Sequence, residues 1–276
     1  MNYNDFRDYL RNETNLLESS IDIYVRTIKE YNNIYNNNNN IENIKAFVNK
    51  SFKLSNSSHK KFIFKYYLKY IGKPELYKKL PKVRVPLRKR NGNYLPKEKV
   101  LEIINNIDDP FYRDIATLQY LTGARAKEII TLRKDNIYFE EDVIKIRLIG
   151  KGDKHRIVYI RKEYKYLLEK HIRSIEWLFI ITTKTNKKEK EKEIYTEINK
   201  IRTYYYLRLK KSCKELGIFD FGTHDLRRNF AQEIRKETKD IFMVKKMLGH
   251  SNINTTIKYF DDNPEDIKDI LLDYQK

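Results

Sequence analysis

The sequence predicts a mainly α-helical fold with a small antiparallel β-sheet, divided into two domains. Three observations predict it. Apolar residues recur at helical spacing through most of the chain. Alternating runs are confined to one pair, residues 143–148 and 155–160, joined at Gly150-Lys151-Gly152-Asp153. Finally, Pro81, Pro86 and Pro96, with Asn91-Gly92-Asn93 between them, punctuate a basic stretch in which regular structure is disfavoured. The expected boundaries are a helical domain over 1–82, a basic linker over 83–94 and a second domain over 95–276.

Within the first domain, Ser19 and Ser20 can cap a helix running to residue 33, with Ile21, Tyr24, Val25, Ile28 and Tyr31 on one face. The asparagines 36–40 read as a loop, because asparagine favours turns and left-handed backbone over helix interiors. A second helix is expected over 41–52. A third, over 57–71, sets Phe62, Ile63, Tyr66, Tyr67 and Tyr70 against a basic face of Lys60, Lys61, Lys65 and Lys69, and ends at Gly72 and Pro74. Beyond the linker, helices are expected over 97–107, 110–121 and from about 124. After the two strands come helices over 162–174, 196–216, 224–236, 241–248, 254–259 and 264–274. The mixed-charge run 184–193 reads as an exposed loop or hairpin.

Composition narrows the functional classes. The 276 residues carry 57 Lys and Arg against 38 Asp and Glu, a net charge of +19. No apolar run approaches the roughly 20 residues needed to span a bilayer, and residues 1–11 are polar rather than signal-like, so a cytoplasmic protein without a membrane role is expected. The lone Cys213 forms no internal disulfide and builds no thiolate metal site, and no metal or small-molecule cofactor is expected. The charge is uneven: residues 51–100 hold 12 Lys and 3 Arg against Glu75 and Glu98, a local net of +13. Such density favours a polyanionic partner through counterion release, with nucleic acid ahead of an anionic membrane. An AT-rich coding sequence would give the same Lys, Ile, Asn and Tyr content, and composition alone does not separate the two readings. Lys60, Lys61, Lys65 and Lys69, with Arg84, Arg88, Lys89 and Arg90 of the linker, are the candidate backbone-contacting residues. His59, His155 and His171 read as surface or DNA-facing, and Trp177 and Cys213 as packing residues. The aromatic run 204–206 reads as helix packing.

Four short signatures carry the chemistry. They are Thr122-Gly123-Ala124-Arg125-Ala126-Lys127-Glu128, Gly150-Lys151-Gly152 between the strands, His224-Asp225-Leu226-Arg227, and Leu248-Gly249-His250 with Tyr259 nine positions after the histidine. In this order they resemble the tyrosine recombinase (phage integrase) family, strongest over about 97–260. The resemblance implies a helical core-binding, SAM-like domain followed by a mixed α/β catalytic domain. It implies site-specific cutting and rejoining of double-stranded DNA through a 3′-phosphotyrosine, independent of metal and ATP, by a tetramer on two sites. Carried over residue by residue, Arg125 and Arg227 are the paired arginines, Lys151 the hairpin lysine, His224 and His250 the histidines, and Tyr259 the nucleophile. Glu128 takes the acidic position of the first motif.

Phosphodiester transesterification makes sense of these residue types. Extra negative charge gathers on nonbridging oxygens in the transition state, and guanidinium forks suit it. A tyrosine with an ordinary pKa near ~10 needs a base, for which His224 is the candidate, and a departing 5′ oxygen needs an acid. Lys151 is favoured for that acid, with Lys154 competing. His250 is expected to donate a hydrogen bond to the phosphate, and Glu128 to orient His224 or an arginine. Residues 264–274, with Ile267, Ile270 and Leu271 in a stripe, dock either on a neighbouring protomer or on their own domain. Two other readings stay open: a type IB topoisomerase-like relaxing enzyme, and a DNA-binding accessory protein of the same fold that has lost cleavage.

Overall fold

The computed structural model of the chain describes residues 2–50, 54–82, 94–150, 154–171 and 176–257. It divides into two compact units, 1–88 and 89–276. Lys151, Tyr259, Arg84, Arg88, Lys89, Arg90 and the predicted helix 264–274 lie outside the described residues.

The first unit is helical. It comprises α1 (Tyr3–Glu13), α2 (Glu18–Tyr35), α3 (Ile41–Asn49), α4 (Leu54–Tyr70) and the single turn α5 (Glu75–Lys78). α1 is not anticipated by the sequence reading; Asn2 caps it by accepting from the Asn4 N–H. α2 begins at Glu18 with Leu17, rather than either serine, in the cap position. The asparagine loop behaves as its chemistry dictates: Asn36 and Asn37 take φ of 50° and 59°, the left-handed region that asparagine tolerates. The core joins Phe6, Ile21, Ile28, Tyr31, Phe47, Phe64 and Tyr67, among others. Edge-to-face contacts such as Tyr31 on Phe64, centroids 5.0 Å apart, lock the rings. α4 turns Phe64 and Leu68 inward along with Ile63 and Tyr67, while Phe62 faces solvent.

The second unit starts with α6 (Lys97–Asn105), α7 (Pro110–Thr122) and α8 (Ala126–Ile130). Three antiparallel strands follow in the order β1 (Ile137–Phe139), β2 (Val143–Ile149) and β3 (His155–Arg161). β1 is too short to signal itself by alternation. Ile144, Ile146 and Leu148 of β2 pair in register with Ile160, Val158 and Arg156 of β3, so one sheet face packs on the helices. Then come α9 (Lys165–Glu169), α10 (Lys187–Glu215), α11 (Thr223–Thr238), α12 (Ile241–Leu248) and α13 (Ile253–Ile257).

Two readings are corrected here. The charged run taken as a loop is helical from Lys187, because Asn186 caps it through its side-chain oxygen and Lys and Glu are good helix formers. His171 is buried rather than surface-facing: its Nε2 lies 2.5 Å from Asp114 Oδ2, and it packs among Phe111 and Phe179. Of the aromatic run, Tyr205 is buried and bonds Gln119, whereas Tyr204 and Tyr206 are exposed. Cys213 is buried and Trp177 packs against the core.

Candidate active site

Glu128 organises the site. It sits in α8, whose amino end is set by Arg125 as the extended cap residue, and its carboxylate reaches back to accept the Arg125 backbone N–H at 2.7 Å. The same carboxylate accepts from Arg125 Nη1 at 2.8 Å. From β3, Arg156 meets it with both terminal nitrogens, Nη1 to Oε1 at 3.1 Å and Nη2 to Oε2 at 2.7 Å. Arg227 Nη1 stands 3.9 Å away. Burial by itself would raise the Glu128 pKa, but the bonds and charge of Arg156, with the Arg125 bonds, hold it at about 2. One buried carboxylate thus fixes a set of guanidiniums and leaves a surplus of positive charge.

Arg227 is 0% exposed and is the largest wholly buried side chain among the described residues. It lies on α11, where Asp225 accepts the Gly222 N–H at 2.9 Å to start the helix. Its Nη1 donates to the Gly123 carbonyl at 2.7 Å and its Nη2 to the Leu248 carbonyl at 2.8 Å. Gly123 caps the carboxyl end of α7 and Leu248 closes α12, so two negative helix ends point at one cation. Both arrangements need glycine. Gly123, at φ 60°, lies so close to the Phe230 ring that a Cβ would come within 2.3 Å. Gly249, at φ 67°, is pressed against the Arg156 side chain, 2.9 Å from any added Cβ.

His250 follows Gly249 and is buried. Its Nε2 is 2.9 Å from Arg227 Nη2 and its Nδ1 is 2.9 Å from Thr256 Oγ1. Arginine can only donate, so Nε2 accepts and the ring proton is on Nδ1, which donates to Thr256. Burial and then the charges of Arg227, Arg125 and Arg156 hold its pKa at about 4, so the ring is neutral at pH 7. In this geometry the donor nitrogen points to Thr256, whereas the sequence reading has it pointing to a phosphate. His224 stands on the first turn of α11, and crowding of its ring by surrounding groups, followed by the charges of Arg227 and Arg228, lowers its pKa.

Above these groups opens a cleft of about 380 Å³ lined by Arg125, Gly150, Lys154, Arg156, His250 and Thr255, with neighbours. Gly150 belongs here because a Cβ on it would meet Glu128 Oε1 at 3.1 Å. The structure therefore brings together Arg125, Glu128, Arg227 and His250, with His224 electrostatically coupled to them and Lys154 on the rim. Glu128 orients arginines. Sequence reasoning missed Arg156, yet a signal existed: it is in phase with the inward Val158 and Ile160 of β3, an arginine on an apolar strand face. Among the described residues no group of three His, Cys, Asp or Glu is placed to hold a metal ion.

The lysines of α4 do not converge in this way. Lys60 Nζ sits 3.9 Å over the Phe47 ring, and Lys61 Nζ donates to the Pro81 carbonyl at 2.9 Å. Lys65 is exposed, and Lys69 is 3.8 Å from Glu13.

Residues 93–266 match the phage integrase family. The chain belongs to that family. Tyrosine recombinase XerA of Thermococcus kodakarensis is 30% identical over 171 residues, 60% of this chain and 56% of that protein. XerA of Pyrococcus horikoshii is 28% identical over 199 residues, 71% of this chain and 65% of that protein. The chain thus spans between about half and two-thirds of the length of these relatives. Among solved structures, XerH site-specific recombinase bound to palindromic difH substrate, in a post-cleavage complex, shares the fold with a TM-score of 0.70 at 16% identity, covering 100% of this chain and 85% of that one. A lambda integrase dimer bound to a COC' core site gives 0.66 at 14% identity, covering 94% and 76%. No helix of the described residues is long and apolar enough to cross a membrane.

Proposed function

We propose that this family member breaks and rejoins DNA strands in site-specific recombination, through a covalent 3′-phosphotyrosine at Tyr259. The observation that carries the reading is the meeting of Arg125, Arg227 and His250, from three distant segments, beside one carboxylate. The tyrosyl oxygen bonds to phosphorus, the bond from phosphorus to the 5′ oxygen breaks, and that oxygen takes a proton. Arg125 is 40% exposed and anchored at Nη1, so the remainder of its fork is turned to the cleft. Together with Arg227 it offers charge where the transition state gathers it, in surroundings arranged beforehand. His224, whose pKa is lowered first by desolvation and then by its cationic neighbours, takes the tyrosine proton. Lys151 supplies the proton to the 5′ oxygen, with Lys154 on the cleft rim as its competitor.

The phosphotyrosine conserves the energy of the broken bond, so rejoining needs no ATP, and the guanidiniums supply the charge that would otherwise fall to a metal ion. A tetramer on two duplexes, cytoplasmic and DNA-associated, is the working assembly. A lambda integrase tetramer bound to a Holliday junction has the same fold, with a TM-score of 0.63 at 15% identity. The first unit and the basic 83–94 segment grip the backbone. The test is a nicked duplex of the native flanking DNA: wild type should form a covalent adduct in the presence of EDTA and Tyr259→Phe should not. Two marked sites should yield recombinants. An adduct from the Phe variant, or relaxation without recombinants, overturns the proposal.

A further inference from the structure

The Glu128 carboxylate is saturated. Oε1 accepts from Arg125 Nη1 at 2.8 Å and from Arg156 Nη1 at 3.1 Å, while Oε2 accepts from the Arg125 backbone N–H and from Arg156 Nη2, each at 2.7 Å. A carboxylate offers about four lone-pair sites, and these donors fill them. Half of that capacity goes to Arg156, whose side chain is 9% exposed and whose two terminal nitrogens both face Glu128. Without Arg156, two sites of a buried anion fall open and draw in whatever donor can move. Arg227 Nη1, 3.9 Å away, is tied to the Gly123 carbonyl. Arg125, with a side chain 40% exposed, has the freedom to turn.

Resting on the recombination reading, we infer that Arg156 is a positioning residue: by taking both oxygens of Glu128 in a fork, it limits the carboxylate's hold on the Arg125 side chain to one nitrogen and leaves the rest of that guanidinium for the scissile phosphate. Arg156 thus acts on the reaction through Glu128 and Arg125, and its own charge cancels the carboxylate that would otherwise compete with DNA for Arg125.

The test removes Arg156 and then the anion it occupies. Single-turnover adduct formation on the nicked duplex should fall about thirtyfold in Arg156→Met, with DNA affinity within about threefold of wild type. Glu128→Gln alone should also lower the rate, yet added to Arg156→Met it should raise it at least fivefold, roughly, because a neutral amide no longer recruits Arg125. A merely structural role makes the two losses accumulate, so a double variant no faster than Arg156→Met overturns the inference. Arg156→Lys keeps a positive charge beside Glu128 without the fork, and covers the case in which the Met variant does not fold. It should be about fivefold slower than wild type and recover in part with Glu128→Gln; a wild-type rate in Arg156→Lys overturns the inference as well. Crystals of the DNA-free protein read the geometry apart from activity. Arg125 should meet Glu128 through one side-chain nitrogen in wild type and through two in Arg156→Met, or in Arg156→Lys where the Met variant does not fold; an Arg125 that has not turned overturns the inference. If wild type itself forms no adduct, the recombination reading fails while the crystals still decide what Arg156 does to Arg125.

Discussion

Two regions of this chain are strongly cationic, and they are built in opposite ways. The lysines of α4 belong to the segment of net charge +13, yet each one lies along an aromatic ring, points to a backbone carbonyl, meets a lone glutamate or stands in solvent. The site of the second unit holds far fewer charges. There, three guanidiniums converge on one buried carboxylate, and the imidazole among them is held neutral. Charge density marks where a polyanion can rest, whereas convergence and burial mark where a bond can be broken.

Removing Arg227 should strike hardest at that difference. Arg227→Ala strips the partner from two helix-end carbonyls and from His250, so we expect a loss of about 3–5 kcal/mol in urea unfolding, together with adduct formation below detection. Arg125→Ala separates the two properties. Its partly exposed side chain should cost under about 1 kcal/mol of stability while lowering the single-turnover cleavage rate by about 10²–10³. A fall in stability matching that of Arg227→Ala would erase the distinction between them.

Acidification probes the same site. His250 has a folded pKa of about 4 against an ordinary value of 6.5, so its neutral form favours folding above pH 6.5, and that contribution is lost as pH falls toward 4. Glu128, at about 2 against 4.5, adds stability that is lost below pH 4.5. Each is worth about 3 kcal/mol. Urea titrations should therefore show stability dropping in two stages, and His250→Asn should flatten the first stage only. The smallest effects belong to α4: Lys65→Ala should leave stability unchanged, weaken DNA binding a few-fold and reduce the salt slope by roughly one. An unaltered slope removes Lys65 from the interface.

What the sequence reveals follows from how local each signal is. Arg125, Arg227 and His250 stand beside short turn signatures, and Gly123 and Gly249 are needed by backbone geometry within a few residues of them. Asn36 and Asn37 are legible for the same reason. The sequence places His171 among surface or DNA-facing residues because its partner, Asp114, is 57 residues away and nothing near the histidine announces burial. The start of α10 was hidden by its solvated charges, although Asn186 was there to cap it. Arg156 falls between these cases. Its inward phase on β3 is readable, but its two bonds to Glu128 arise only when the hairpin folds back over α8.

The seat of Arg227 between two helix ends has an evolutionary corollary. A descendant that abandoned chemistry and kept only its grip on a duplex would still lose much of its stability without this arginine, so drift should discard Arg125 and Tyr259 long before it. An intact Arg227 in some diverged cousin therefore testifies to an inherited scaffold. The half-exposed Arg125, which the architecture can spare, is the better witness to surviving activity.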